Sequence, residues 1–221
     1  MIEIYKQNIK HIVEQDELFS VDPITILNKI EKTATKEDVV QFYGVNHSFP
    51  ANADGNWEYK KEEVSPELWR AVYKYSDEYG SYPHSTYSYL NEWLNTDLNI
   101  LDFGCGPNPN IPRQFGCNLY LVELNDKSRE LITQNYRFKN VYCFENLSDV
   151  FKLDIKFDVI FTKDVIEHVR YVNEHLYVLY LLCKEDGLFY VHYPYGDHQG
   201  NHVSTLYNDT IIRDPYRAMG N

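Results

Sequence analysis

Positive charge is what this chain has least of. Lys and Arg number 21 against 33 Asp and Glu in 221 residues, a formal net charge of −12. Residues 1–97 hold 9 Lys+Arg against 17 Asp+Glu, and residues 98–221 hold 12 against 16. A protein that grips nucleic-acid phosphates or anionic lipids presents a basic face. No Lys/Arg cluster supplies one here, so neither nucleic acid nor a membrane is an expected partner. Long apolar runs are missing too. None approaches the ~20 residues that span a bilayer, and the opening MIEIYKQNIKHIVEQDE has no apolar h-region, so no signal peptide is expected. Cysteine is sparse. Cys105, Cys117, Cys143 and Cys183 form no CxxC pair and sit in or beside apolar segments. They read as reduced, buried thiols of a cytoplasmic protein. What the chain does have is a hydrophobic share of 43% and 20 tyrosines, enough for a substantial core.

The chain divides by pattern near residue 97. Residues 1–97 read as a mainly helical N-terminal extension, and residues 98–221 as an α/β domain. Ile2, Tyr5, Ile9 and Ile12 recur at helical spacing. Asp22-Pro23 is an N-cap with proline in the first turn, ahead of a stripe of Ile24, Leu27 and Ile30. Thr35 with Asp38 opens a third helix, which Gly44 would close. Residues 44–64 read as a long loop. Ser65-Pro66-Glu67 caps a helix carrying Leu68, Trp69, Val72 and Tyr73, and a further helix is expected over Ser85–Leu94. Beyond Asn99, short apolar strands alternate with helical stretches: Ile100–Phe103, Leu119–Glu123, Val141–Phe144, Phe157–Thr162 and Leu188–Tyr193. Asp126–Tyr136 and Val165–Cys183 are the expected helices between them, the second ended by Asp186-Gly187. This alternation predicts a Rossmann-like, doubly wound, mostly parallel sheet whose ligands bind at the carboxyl ends of the strands. Only 27 residues follow Pro194, so the C-terminal end of the sheet is expected to be short.

One stretch says most about chemistry. ILDFGCGP (Ile100–Pro107) is a buried strand ending in an acid and two glycines one residue apart. NLYLVE (Asn118–Glu123) is a second strand ending in an acid, 21 residues after Asp102. Glycine lets a loop turn sharply and bring bare backbone against a ligand. A carboxylate at the end of the next strand can accept hydrogen bonds from two neighbouring ribose hydroxyls. Pro109 stands where a third glycine would be, and Pro107 and Pro112 limit the following helix to about Ile111–Phe115, so no pyrophosphate cradle is evident.

With LVELN and FDVIFTKDVIEHV (Phe157–Val169), these motifs resemble the class I S-adenosylmethionine-dependent methyltransferases, in the version found in quinone-biosynthesis and sugar methyltransferases. The resemblance covers roughly residues 98–194. It implies S-adenosylmethionine as the cofactor. Asp102, Gly104 and Gly106 would line its methionine end, with Cys105 in the same loop. Glu123 would hold the ribose and Leu124 would flank the adenine. Thr162, Lys163 and Asp164 would lie beside the sulfonium. The family's acid at the adenine amino group has no clear counterpart in FENLSD. Glu145, Asn146 and Asp149 are the candidates, with Asn146 preferred. The segment before the first strand often folds over the cofactor, so Tyr79 and Tyr82 in EYGSYPHS are lid candidates, although so many tyrosines also make chance clustering. Tyr73 and Tyr75 are assigned to core packing.

Methyl transfer to a hydroxyl needs a positioned base. His168, just after the fourth strand, is one candidate, with a backbone-bonded helix start as the alternative. Asp164 is counted with the catalytic group. His175 reads as structural and His192 as a core residue of the last strand. The loop YGDHQGNHVS offers His198 and His202 as further bases. Gly200 opposes the helix that would make HxxxH a metal site, so no metal is expected. The expected function is O-methylation of a small polar metabolite such as a sugar or glycan precursor. A non-catalytic cofactor-fold module and a nucleic-acid or protein methyltransferase are the alternatives. The oligomeric state is not legible.

Overall fold

Five of the strands expected after residue 97 form, and a sixth comes from the N-terminus. The computed structural model describes residues 2–5, 17–43, 64–76, 97–109, 117–136 and 140–192. The elements in chain order are β1 (Ile2–Tyr5), α1 (Pro23–Ile30), α2 (Lys36–Tyr43), α3 (Pro66–Tyr75), β2 (Asn99–Phe103), β3 (Asn118–Val122), α4 (Asp126–Asn135), β4 (Val141–Phe144), α5 (Leu147–Phe151), β5 (Phe157–Lys163), α6 (Val172–Leu182) and β6 (Cys183–His192). The sheet order is β1-β6-β5-β2-β3-β4. Strands β2 to β6 run parallel and β1 pairs antiparallel with β6. The chain works outward from β2 to β4, then returns to β5 on the other side of β2. That reversal opens a crevice above the carboxyl ends of β2 and β5.

Both faces of the sheet are covered, which is why β2 and β5 read as nearly continuous apolar runs. On one face Leu101, Phe103, Ile160 and Phe189 pack against α5, α6 and α1. On the other, Ile100, Leu121 and Phe161 pack toward Ile132 of α4, and the rings of Phe161 and Tyr190 stack at 4.6 Å. Among the described residues no helix is long and apolar enough to cross a membrane.

Three helix starts follow their caps. The Asp22 carboxylate accepts from Thr25 N, and Ser65 Oγ accepts from Leu68 N. Thr35 and Asp38 bond reciprocally, Thr35 N to Asp38 Oδ2 at 2.8 Å and Asp38 N to Thr35 Oγ1 at 3.1 Å.

Four expectations need correction. Residues 2–5 are a strand, not a helix; Ile2 and Ile4 also fit a period of two, and pairing with Leu188–Val191 selects it. Ile24 is 45% exposed, and Ile26 takes its place in the core beside Leu27 and Ile30. The segment Val165–Cys183 is not one helix: a short 3-10 turn, Ile166–His168, precedes α6. Finally, Asp186-Gly187 does not end the helix but lies in β6, whose pairing shifts between Phe157↔Cys183 and Val159↔Leu188. A Cβ at Gly187 would stand 2.5 Å from Cys183 Sγ and 3.1 Å from the Phe157 carbonyl oxygen, so this bulge needs glycine. The expected loop 44–64 (apart from Val64) and the helices over Ser85–Leu94 and Ile111–Phe115 lie outside the described residues.

Candidate active site

The glycine bend after β2 is built on positive φ angles, +72° at Gly104 and +64° at Gly106. Gly104 N donates to the Val122 carbonyl at 2.8 Å, holding the bend to the end of β3. A Cβ on Gly104 would stand 2.9 Å from Val165 Cγ1 and closer still to Cγ2. The bend therefore presses directly on the loop after β5. Gly106 N donates to Glu123 Oε2 at 2.7 Å, and Asn125 N donates to Oε1 at 2.7 Å. The two sequence features thus meet in one hydrogen bond. Glu123 is only 8% exposed yet lines the cavity above the sheet. Burial raises its carboxyl above the ordinary glutamate value, while the Asn125 and Gly106 N–H groups and Arg129 act against it. The carboxylate thus accepts backbone N–H groups on both oxygens, and a carboxylate has about four acceptor sites in all.

Arg129 locks the ends of β3 and β4 together. Its guanidinium donates to the carbonyls of Glu123 and Leu124 and pairs with Glu145 at 3.0 Å. Asn125 caps α4 through Ser128 N and donates from Nδ2 to the carbonyls of Tyr73 (2.8 Å) and Ser76 (2.7 Å), at the end of α3. Helix α3 is consequently fastened across the mouth of the crevice. Lys74 pairs with Glu145 at 2.5 Å and Trp69 Nε1 donates to the His168 carbonyl at 2.8 Å. Pro66, Trp69, Arg70 and Tyr73 form one i, i+3, i+4, i+7 stripe on the cavity wall.

The loop after β5 supplies the third wall. Asp164 adopts φ +52°, an uncommon conformation for a residue with a side chain, and Lys163 Nζ lies 3.7 Å from its carboxylate. Asp164 is part-exposed and lines the cavity with Lys163, Val165 and His168. His168 Nδ1 is 2.7 Å from Tyr73 Oη, and its Nε2 is 4.0 Å from the buried Glu167 carboxylate. His175, 4% exposed, bonds through Nδ1 to the Tyr171 carbonyl at 2.7 Å. Burial pushes its imidazole down to about 4, so at neutral pH the ring is uncharged, Nδ1 carries the proton and Nε2 is the acceptor nitrogen.

The cavity so enclosed measures about 150 Å³. Gly104, Gly106, Glu123, Leu124, Lys163, Asp164 and His168 are brought to its wall. Asp102 and Thr162 are buried inside β2 and β5, and Cys105 is buried in the bend, its thiol raised well above the ordinary range by burial and by Asp102 and Glu123. Asn146 stands behind the wall, its Oδ1 accepting from Arg70 Nη2 at 2.6 Å, and Glu145 takes the lining position. Tyr79, Tyr82, His198 and His202 lie outside the described residues. Tyr73, expected in the core, packs against the Val64–Trp69–Val72 cluster and also lines the cavity, where its hydroxyl meets His168. Arg70 lines it without having been singled out, and His175, read as structural, lines it as well. For Tyr73 and Arg70 the periodic stripe starting at Pro66 was the available signal. Among the described residues no group of three or more His, Cys, Asp or Glu is placed to hold a metal ion.

A family model described as a methyltransferase domain matches residues 76–214, well over half of the chain. No curated protein matches it. Among solved structures, the chain is similar to PKMT2 from Rickettsia typhi in complex with AdoHcy, at 25% identity and a TM-score of 0.43, over 50% of this chain and 26% of that one. It is also similar to coclaurine N-methyltransferase bound to N-methylheliamine and SAH (16% identity, TM-score 0.39, 84% and 62% covered). A third is the phosphoethanolamine N-methyltransferase 2 of Haemonchus contortus (16%, TM-score 0.36, 77% and 35% covered). The chain thus spans about a quarter of the length of the Rickettsia protein it matches. With that family match over a parallel sheet whose glycine bend and strand-end glutamate meet at one cavity, the chain belongs to the methyltransferase-domain family.

Proposed function

We propose that the protein transfers a methyl group from S-adenosylmethionine to an oxygen of a small polar acceptor, of the kind found in sugars and glycan precursors. The observation that carries this reading is the junction of Gly106 N–H and the Glu123 carboxylate on the cavity wall. A carboxylate on the cavity wall suits the paired hydroxyls of a ribose. Bound at this position, the cofactor supplies an electrophilic methyl. The chain's residues do the rest. Glu123 holds the nucleoside, the Gly104–Gly106 bend gives bare backbone to the amino-acid end, and Lys163 and Asp164 border the reacting region. His168 is the base. With Nδ1–H donating to Tyr73 Oη, its Nε2 takes the proton of the acceptor hydroxyl, and the Glu167 carboxylate 4.0 Å away favours the resulting imidazolium. Of residues 1–97, β1 and α1 belong to the sheet and its core, and α3 acts as the roof of the site. Tyr79 and Tyr82, which belong to the stretch following α3, are proposed to extend that roof, and His198 and His202 are held as reserve bases. A cytoplasmic site of action is proposed from the charge and the free cysteines.

Calorimetric titration with S-adenosylmethionine tests the reading. Micromolar binding is expected, and Glu123→Ala should weaken it by about 1–3 kcal/mol, the cost of losing a buried acceptor. Folded protein that takes up no cofactor heat even at millimolar concentration contradicts it.

A further inference from the structure

We propose that Arg70 is a receptor for an oxyanion, a carboxylate or phosphate carried by the methyl acceptor. Arg70 sits on the cavity stripe of α3, part-buried. Its hydrogen bonds go to two neutral oxygens, Nε to Thr33 Oγ1 at 3.0 Å and Nη2 to Asn146 Oδ1 at 2.6 Å. Among the described residues no carboxylate lies within ion-pair distance of it. The two acids that act on it from farther off are committed elsewhere: Glu31 accepts from Ser148 N at 2.8 Å, and Glu145 is held by Lys74 and Arg129. Burial pulls the guanidinium below its ordinary arginine value, and arginine keeps its charge in proteins. A charge withdrawn from water without a counter-ion in contact is costly. Thr33 and Asn146 fix the plane of the fork, and among the described residues its Nη1 amino group has no partner. A planar, always-charged fork with open N–H groups matches the paired oxygens of a carboxylate or phosphate.

The position favours the acceptor over the cofactor's own carboxylate. Arg70 is tied to Asn146, which follows β4, whereas Gly104 and Gly106 follow β2, with β3 lying between. Trp69, Tyr73 and Phe103 offer flat apolar surface beside it, and the uncharged His175 does not compete for the anion. The acceptor is therefore a small molecule with an apolar or ring body, a nucleophilic group near His168 and one negative charge at Arg70. Only the word acceptor rests on the methyl-transfer reading; the oxyanion site stands by itself.

The test uses the full chain and four probes: inorganic phosphate, acetate, S-adenosylhomocysteine and 5′-methylthioadenosine, titrated calorimetrically at matched ionic strength. Wild type should bind phosphate at one site, and Arg70→Gln should weaken it at least tenfold, with acetate following the same order. Affinities for both nucleosides should stay within twofold. Absent phosphate binding by wild type, or equal binding by the variant, overturns the proposal. So does a loss of S-adenosylhomocysteine affinity that spares methylthioadenosine, which assigns Arg70 to the cofactor's carboxylate. Should Arg70→Gln not fold, Arg70→Lys keeps the charge and loses the fork; a threefold or greater loss supports the site, and unchanged phosphate affinity refutes it. If neither nucleoside binds while phosphate binding depends on Arg70, the methyl-transfer reading fails and the oxyanion site survives.

Discussion

Gly104→Ala attacks the bend at the point where two strand-end loops touch. The glycine has φ +72°, and an alanine there meets left-handed strain of about 1–2 kcal/mol. Its Cβ would also stand 2.9 Å from Val165 Cγ1 and 3.1 Å from Val165 Cβ, with Cγ2 nearer still. Relieving such overlap in a packed site costs about 1–3 kcal/mol. The sum, about 2–5 kcal/mol, is a large part of the 5–15 kcal/mol that roughly bounds domain stability. For a chain of this length it corresponds to a fall in Tm of about 4–20 °C. Thermal and urea unfolding measure it. Val165→Ala removes both γ-methyls, so in the double variant the steric share should return and the φ share should remain. A coupling of about 1–3 kcal/mol in that cycle is expected. Gly104→Ala with wild-type stability, or strict additivity with Val165→Ala, would show that the two loops do not press together.

His175 has a folded pKa near 4 against 6.5 for an ordinary histidine, so the unfolded chain binds its proton first and stability falls as the pH drops from 6.5 toward 4. The loss from this group is about 3 kcal/mol at most; urea unfolding at pH 7 and pH 4.5 measures it, and His175→Phe should flatten that dependence. Glu123 has a raised folded pKa, so its contribution to the stability of the cofactor-free protein is greatest below the ordinary glutamate value and is lost as pH rises through the folded pKa. Cofactor affinity should change oppositely, strengthening as the carboxylate ionises over the same interval, which calorimetry from pH 4.5 upward will read. Tyr73→Phe removes the bond to His168 Nδ1; kcat should fall and the pH–rate profile should move while cofactor affinity holds, whereas His168→Gln should lower kcat by about 10²–10⁴.

The strands that build the cofactor half were legible because their burial on both faces writes continuous apolar runs into the sequence, and the caps Asp22, Ser65 and Thr35–Asp38 marked helix starts by local chemistry alone. Strand β1 was not, since Ile2 and Ile4 fit a period of two while Ile2, Tyr5 and Ile9 fit a helical one, and only the edge of β6 decides between them. The start of α6 was misjudged because Val165 and Val169 keep helical spacing although the backbone turns extended at Val169 (φ −94°, ψ 138°), between the 3-10 turn and α6. Glycine bend and Glu123 could be paired from their spacing. The roof could not. That Tyr73 meets His168 across 95 positions, and that Arg70 reaches Thr33 and Asn146, are facts of tertiary placement. The stripe from Pro66 to Tyr73 signalled a buried face without saying whether it met core or cavity.

A crystal structure of the full chain with S-adenosylhomocysteine tests the central claim most directly. The account predicts both ribose hydroxyls within hydrogen-bonding reach of the Glu123 carboxylate, beside the Gly106 N–H, beneath α3. A nucleoside seated elsewhere, or a Glu123 that keeps bonding only its own backbone while the cofactor is bound, would contradict it.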